Sequence, residues 1–339
     1  MATTFKNFTS ADIANTRTLL HEAIPITGTI VSGTYSDLNI QNYSHQLFQS
    51  VYDYPYLSSS ANHIFDITFG HISSGSALSQ SNSVATTKKI NIYNQFAQIL
   101  VGYDTGSNIK KFDQDGNHGT GSIMNELFFL SFARLLVKDE IKKGSFQISV
   151  GTGSAYASPF AGGALIIRDA SGVTDYRTNS PAGDYGLLYT NSAGTGDIVG
   201  HVYYQAGAVV LTASVFPSAT VMSGTATLDQ TLSGSTIQTI ADSFRNRIQN
   251  IQFNNTTELN STIYFCRAFS NEFNYSSNPT YLSSSQIVVK EEATDPPVAY
   301  ITTVGLYSAD NELLAVAKVS EPLKKTVDTE LTIRTRLDY

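Results

Sequence analysis

The stretch AYITTVGLYSADNELLAVAKVSEPLKKTVDTELTIRTRLDY, Ala299 to Tyr339, decides the fold class, because nowhere else does local pattern dictate structure so directly. Ile301 to Tyr307 is β-branched and aromatic, Ser308-Ala309-Asp310-Asn311 has turn chemistry, and Glu312 to Val319 is a second apolar run. In the last segment Leu331, Ile333, Thr335 and Leu337 alternate with Thr332, Arg334, Arg336 and Asp338. A strand there puts apolar groups on one face and charges on the other. Three strands are read, forming a sheet with one wet side. A terminus so strongly patterned belongs to the core, so a short truncation is expected to unfold the chain.

Working back from this module, Pro296 and Pro297 form the stiffest joint in the chain. Ile251 to Phe253 and Ser261 to Phe269 are expected as a strand pair around Asn254-Asn255-Thr256-Thr257. Thr236 to Ile248 reads as a helix with Ile237, Ile240, Ala241, Phe244 and Ile248 on one side, Arg245, Arg247 and Gln249 facing out, and Ser233 to Ser235 as its start signal. From Ser145 to about Val215, strands separated by Gly-rich turns are expected: Phe146, Ile148 and Val150 alternate with polar neighbours, and a hairpin turns around Gln205-Ala206-Gly207.

The first 144 residues are more mixed. Thr9 to about Glu22 reads as a helix with Asp12 in its first turn, Ala23 to Tyr35 as extended chain or an edge strand, and Ser44 to Tyr52 as a second helix stopped by Pro55. His63 to Gly70 has strand alternation, and Ser73 to Thr87 reads as a flexible surface loop. Lys88 to Leu100 carries a helical stripe of Ile92, Phe96, Ile99 and Leu100, ended by Gly102. Gly102 to Ser122 is a long polar hairpin or loop, and Met124 to Lys143 is apolar enough for either a buried helix or a strand plus a turn. The fold class is therefore β-rich α+β: mostly antiparallel sheets or a sandwich with a few short helices. The division expected is a mixed region 1–144 with an interaction arm, then a β-rich region 145–339 containing one helix at about 236–248 and the module 299–339.

With 339 residues the chain is long enough to bury roughly 75% of its unfolded surface. Lys and Arg total 21 against 28 Asp and Glu, giving a net charge of -7, and only 14% of residues are charged. The surface must be covered by neutral polar groups, and no basic patch of the kind that binds nucleic acid is evident. No window approaches the roughly 18 apolar residues of a membrane span. The amino terminus lacks a basic segment followed by an apolar core, so it is not read as a secretory signal and synthesis in a cytoplasm is expected. The single cysteine, Cys266, lies in an apolar strand and reads as a buried free thiol.

Candidate chemistry is sparse. The six histidines, His21, His45, His63, His71, His118 and His201, never fall at zinc-site spacing, and His63 with Asp66 is the nearest local pair. Asp113, Asp115 and Asn117 have a superficial likeness to a calcium loop, but Gly116 stands at the fourth position and Met124 at the twelfth, where the loop requires glycine sixth and glutamate twelfth. Gly151 to Gly163, GTGSAYASPFAGG, follows a strand but lacks the GKS or GKT ending of a phosphate loop, so its glycines read as positions of positive φ. No catalytic, cofactor-binding or metal-binding residue is assigned, and a protein without enzymatic activity is expected.

One resemblance adds to this. VGLY (Val304 to Tyr307), the polar turn, ELLAVAKVSEPLKK (Glu312 to Lys325) and the closing strand are similar to a module of tail-fibre, tail-collar and baseplate-associated proteins of tailed bacteriophages. Ser58 to Gly70, Phe132 to Gly151 and Phe253 to Leu282 resemble the same class. The resemblance implies a virion component of a contractile-tailed phage, made in the infected bacterium and placed in the tail or baseplate. Its partners would be other virion subunits and copies of itself, with no nucleic acid, membrane or cofactor. The amino-terminal arm, Ser73 to Thr87 and Asn271 to Ser285 are the expected contact segments. The alternatives kept open are a receptor- or glycan-binding fibre or adaptor module, with Tyr275 and Tyr281 as stacking residues, a neck or capsid decoration protein, and, more remotely, a tail glycan hydrolase.

Overall fold

The computed structural model describes residues 5–27, 39–53, 60–73, 84–118, 121–153, 155–191, 196–216, 234–275, 282–283, 286–287, 292, 294 and 296–339. In chain order they form β1 (Ile13–Thr27), β2 (Ile40–Asn42), β3 (Gln49–Tyr52), β4 (His63–His71), helix α1 (Val84–Leu100), β5 (Glu126–Phe132), the short helix α2 (Arg134–Val137), β6 (Glu140–Ile141) and β7 (Gln147–Gly151). There follow β8 (Ala164–Arg168), β9 (Tyr185–Tyr189), β10 (Ile198–Tyr203), β11 (Ala208–Thr212), helix α3 (Ile237–Arg245), β12 (Ile248–Ala268), β13 (Leu282–Ser283), β14 (Gln286–Ile287), β15 (Val298–Tyr307), β16 (Leu313–Thr326) and β17 (Leu331–Asp338). The protein is mostly antiparallel β. Thirteen strands form one sheet in the order β1-β12-β7-β8-β9-β10-β11-β5-β4-β3-β2, with β6 and β17 also paired to β12, while β13–β14 and β15–β16 are separate pairs. The chain divides into two compact units, Met1–Leu19 with Glu258–Tyr339, and Leu20–Thr257. The expected boundary after residue 144 lies inside the second unit, between β6 and β7.

In the second unit both faces of the central strands are covered. β5, ELFFLSF, sends Phe128, Leu130 and Phe132 into one core and Leu127 and Phe129 into another. β11 divides in the same way, Val209 and Leu211 on one side and Ala208 and Val210 on the other. Two-sided burial makes such a strand continuously apolar, and this is why its period alone could not separate strand from helix. Helix α3 covers one face with Ile240, Ala241 and Phe244, and α1 covers the other with Ile92, Tyr93, Ala97 and Leu100. The ring of Phe132 lies 6.1 Å from Phe146, the residue just before β7, and 5.1 Å from Phe253 of β12. The sheet therefore curls until β5 faces β7 and β12 across the core. Helix α1 sits unusually close to β4: a Cβ at Gly70 would be 2.7 Å from the Tyr93 amide nitrogen and 2.9 Å from the Lys89 carbonyl oxygen.

Several local expectations are corrected. Thr9 and Asp12 do form a cap, the Thr9 hydroxyl donating to Asp12 Oδ2 at 2.7 Å, but a single 3-10 turn follows before β1 begins. Ile13, Leu19 and Leu20 are exposed, so no helical stripe is buried, and the backbone pairing offered by β12 outweighs the helical spacing. β1 is an edge strand, as its Pro25 requires. Ser44 to Tyr52 is a turn with Gln46 at φ 56°, followed by β3, whose partners β2 and β4 impose extension. Of the expected loop Ser73 to Thr87, residues 74–83 lie outside the described residues, while Val84 to Thr87 already belong to α1.

The helix at 236–248 is α3, capped by the Thr236 hydroxyl accepting from the Thr239 amide, and it stops at Arg245. Arg245 and Arg247 are buried, not outward. The expected turn at Asn254 to Thr257 is absent: β12 runs unbroken for 21 residues. Asn255 is buried there because its side chain accepts from the Glu22 amide at 3.1 Å and donates to the Leu136 carbonyl at 2.9 Å, giving a polar group a place inside a strand.

In the first unit, the alternation of the last strand is as expected, with Thr335 buried and Arg334, Arg336 and Asp338 exposed. The three-stranded module is not. β17 pairs with β12, from Ser261 opposite Asp338 to Ala268 opposite Leu331, and β15 with β16 forms a hairpin of its own. Cys266 is half-buried instead of buried, its Sγ 3.9 Å from the Thr335 hydroxyl, and burial pushes the thiol pKa up.

A candidate binding groove beside the first helix

One face of α1 presents Lys88, Asn91, Ile92, Gln95 and Phe96, spaced at i, i+3, i+4, i+7 and i+8, along one side of a groove of about 410 Å³. Opposite stand Leu47, Phe48, Asp66 and Thr68 of β4, and Phe129 and Ser131 of β5. The floor is aromatic: Phe96 stacks on Phe129 with centroids 4.2 Å apart and planes 11° from parallel. At the rim, Tyr43 stacks on His45 at 5.1 Å and packs against Phe48 at 4.8 Å.

Polar contacts fix these walls. Lys88 Nζ donates to the His45 carbonyl at 2.8 Å and the Thr68 hydroxyl to the Leu47 carbonyl at 2.5 Å, so the turn before β3 is tied to both α1 and β4. Asp66 Oδ1 accepts from the Ser50 hydroxyl at 2.5 Å and meets His63 Nε2 at 2.8 Å. Behind it, the Tyr43 hydroxyl lies 3.2 Å from Ser50 Oγ, and both Tyr43 and Tyr52 donate to Gln41 Oε1 at 3.0 Å. Burial, followed by the neighbouring Tyr43, raises the Tyr52 pKa. The acid and the base of the groove are thus both engaged within the protein. The amide heads of the exposed Asn91 and Gln95 make no hydrogen bond to a described residue.

The His63 and Asp66 pair singled out in the sequence is brought together here, but its geometry is not that of an activated nucleophile. Activation needs serine bonded to histidine. Here Ser50 and His63 bond the same carboxylate oxygen.

The other candidates lie elsewhere. Asp113 Oδ2 accepts from the His118 amide at 2.9 Å and Asp115 Oδ1 from the Asn117 amide at 3.1 Å, so the acids brace their own turn, with Gly116 at φ 72°. Burial and the hydrogen bond with Asp115 raise the Asp113 pKa, and the same bond holds Asp115 low. Among the described residues, no three His, Cys, Asp or Glu side chains converge as a metal site would require. In the Gly151 to Gly163 loop, Gly162 and Gly163 have positive φ, as read from the sequence, while Gly151 and Gly153 are needed for close approach to Pro159 and Ser158. The loop turns carbonyls, not amides, toward charge: Arg247 Nη1 donates to the Gly151 and Gly153 oxygens at 3.0 Å each.

Sequence reasoning missed the groove, although the polar triad Lys88, Asn91 and Gln95 beside the apolar stripe of α1 was a visible signal. It also missed the buried His201, 1% exposed, whose Nε2 lies 3.2 Å from the Gln114 carbonyl and whose pKa is lowered by burial to about 4. No protein-family model, curated protein or solved structure matches the chain. No helix among the described residues is long and apolar enough to cross a membrane.

Proposed function

We propose that this chain is a noncatalytic structural component of a tailed-phage virion, placed in the tail or baseplate and acting through association with copies of itself and with neighbouring subunits. The observation that carries the assembly role is the β15–β16 hairpin. It is a sheet of only two strands, yet it displays Tyr300, Tyr307, Leu313, Leu314 and Val316 to solvent, with Leu314 68% exposed. Two strands alone are marginally stable in water, and apolar residues gathered on one element favour a partner. Charge supports a second copy of the hairpin laid antiparallel to the first. Asp310 and Glu312 lie at its tip, and farther along β16 Lys318 and Lys324 flank Glu321, so that stretch carries a net positive charge and such a pairing would set the acidic tip against it.

The virion placement is supported by the phage-like sequence segments and by the low charge and neutral polar composition. The test is light scattering on the purified chain and on a Leu314→Ser, Val316→Ser variant, joined to detection of the chain in purified particles. An oligomer that the variant loses, in a chain that particles contain, is the expected result. A monomer at every concentration, or absence from particles, would overturn the proposal.

A further inference from the structure

We infer that the groove beside α1 binds a neutral saccharide, a pyranose laid against the Phe96 ring with its hydroxyls on the amides of Asn91 and Gln95. A volume of about 410 Å³ lies within the roughly 300–1,000 Å³ of small-molecule sites. The lining combines the two chemistries a pyranose displays. Phe48 and Phe96, the latter backed by the buried Phe129, offer aromatic surface to ring C–H groups, and Asn91 and Gln95, four residues apart on α1, offer both donors and acceptors to hydroxyls.

Charge separates this ligand from the alternatives. Asp66 and Lys88 are the formally charged residues of the lining, of opposite sign and each bonded within the protein, so the groove presents no net charge to select a phosphate or an ammonium group. A purely apolar ligand would strip water from the two amides without replacing their hydrogen bonds, which costs free energy. The inference stands apart from the assembly role, because the groove and the β15–β16 hairpin share no residue.

The experiment is saturation-transfer difference NMR on the full chain with glucose, galactose, mannose and N-acetylglucosamine, each at about 10 mM so that affinities in the millimolar range register. At least one sugar should receive signal on its ring protons, and the Asn91→Ala, Gln95→Ala variant should lose that signal at least about tenfold, as a loss of roughly 1.4 kcal/mol would give. Both positions are exposed, so the variant's melting temperature should match that of the parent and exclude misfolding as the cause. Absence of transfer to all four sugars, or transfer that the variant leaves intact, would overturn the assignment.

Discussion

Phe244 of α3 lies face to face with Phe128 of β5, ring centroids 4.3 Å apart and planes 20° from parallel, and both rings are fully buried. That stack joins the helix to the sheet, with Phe216 edge-on to both rings. Phe244→Ala should cost about 3–5 kcal/mol, the range for removing a buried ring that neighbours cannot replace. Urea denaturation followed by circular dichroism would measure it, and a cost below about 1 kcal/mol would mean that α3 is not anchored there.

Gly70 sets how closely α1 rests on β4. Its Cβ position is blocked by backbone atoms of Tyr93 and Lys89, which cannot rotate away as a side chain would. Gly70→Ala should therefore destabilise by about 1–3 kcal/mol by pushing the helix outward. Thermal unfolding tests this, and the altered helix position should also change the groove, seen as shifted NMR signals from Asn91 and Gln95.

His201 makes stability depend on pH. Its folded-state pKa is lowered from 6.5 to about 4 by burial, so the unfolded state takes up a proton first as pH falls. Its contribution is fully present above about pH 6.5 and is lost as pH drops toward about 4, at most about 3–4 kcal/mol in all. Asp113, His118 and Arg177 lie around it, so neighbours titrate too. His201→Gln should flatten the curve over that window. An unchanged slope would show that another group carries the proton uptake.

Arg247 ties the 151–153 backbone to the start of β12. Arg247→Met would fill similar volume but leave the Gly151 and Gly153 carbonyls without this donor, at a cost of about 1–3 kcal/mol each if they stay buried. Limited proteolysis should then cut within 155–163 sooner than in the parent. Equal cutting rates would show that other bonds hold the loop.

Removing Leu331 to Tyr339 would take β17 from its eight-residue ladder with β12. The unit containing β15 and β16 should lose cooperative unfolding while residues 20–257 keep theirs, a separation visible by calorimetry. A single unaltered transition would refute it.

Much of the β pattern was legible because it was local. The last strand, the hairpin at Gln205 to Gly207 and β4 each carry their own alternation or turn residues. What was not legible depended on partners. Thr9 to Glu22 has helical spacing, but from Ile13 onward its strand pairs with β12, more than two hundred residues away. Asn255 looked like a turn residue because only the folded neighbours supply its buried donor and acceptor. Arg247 looked solvated, since nothing in the local sequence announces the carbonyls at 151 and 153 as its partners, whereas the partner of Arg245, Asp242, stands one helical turn before it and its burial alone was hidden. Of the groove only the α1 side, Lys88, Asn91 and Gln95, could be read locally: Asp66, Gln95 and Ser131 meet only after the strands have been ordered in space.

The pairing of β1 with β12 has one more consequence. Leu20 to Thr257 is held at both ends by these strands, with Glu22 bonded to Asn255, and the stretches flanking the segment meet through the ion pair of Arg17 with Glu258. The two ends of this segment therefore lie side by side within its own unit, the arrangement that suits circular permutation: a short linker would join them and new termini could be opened at an exposed turn.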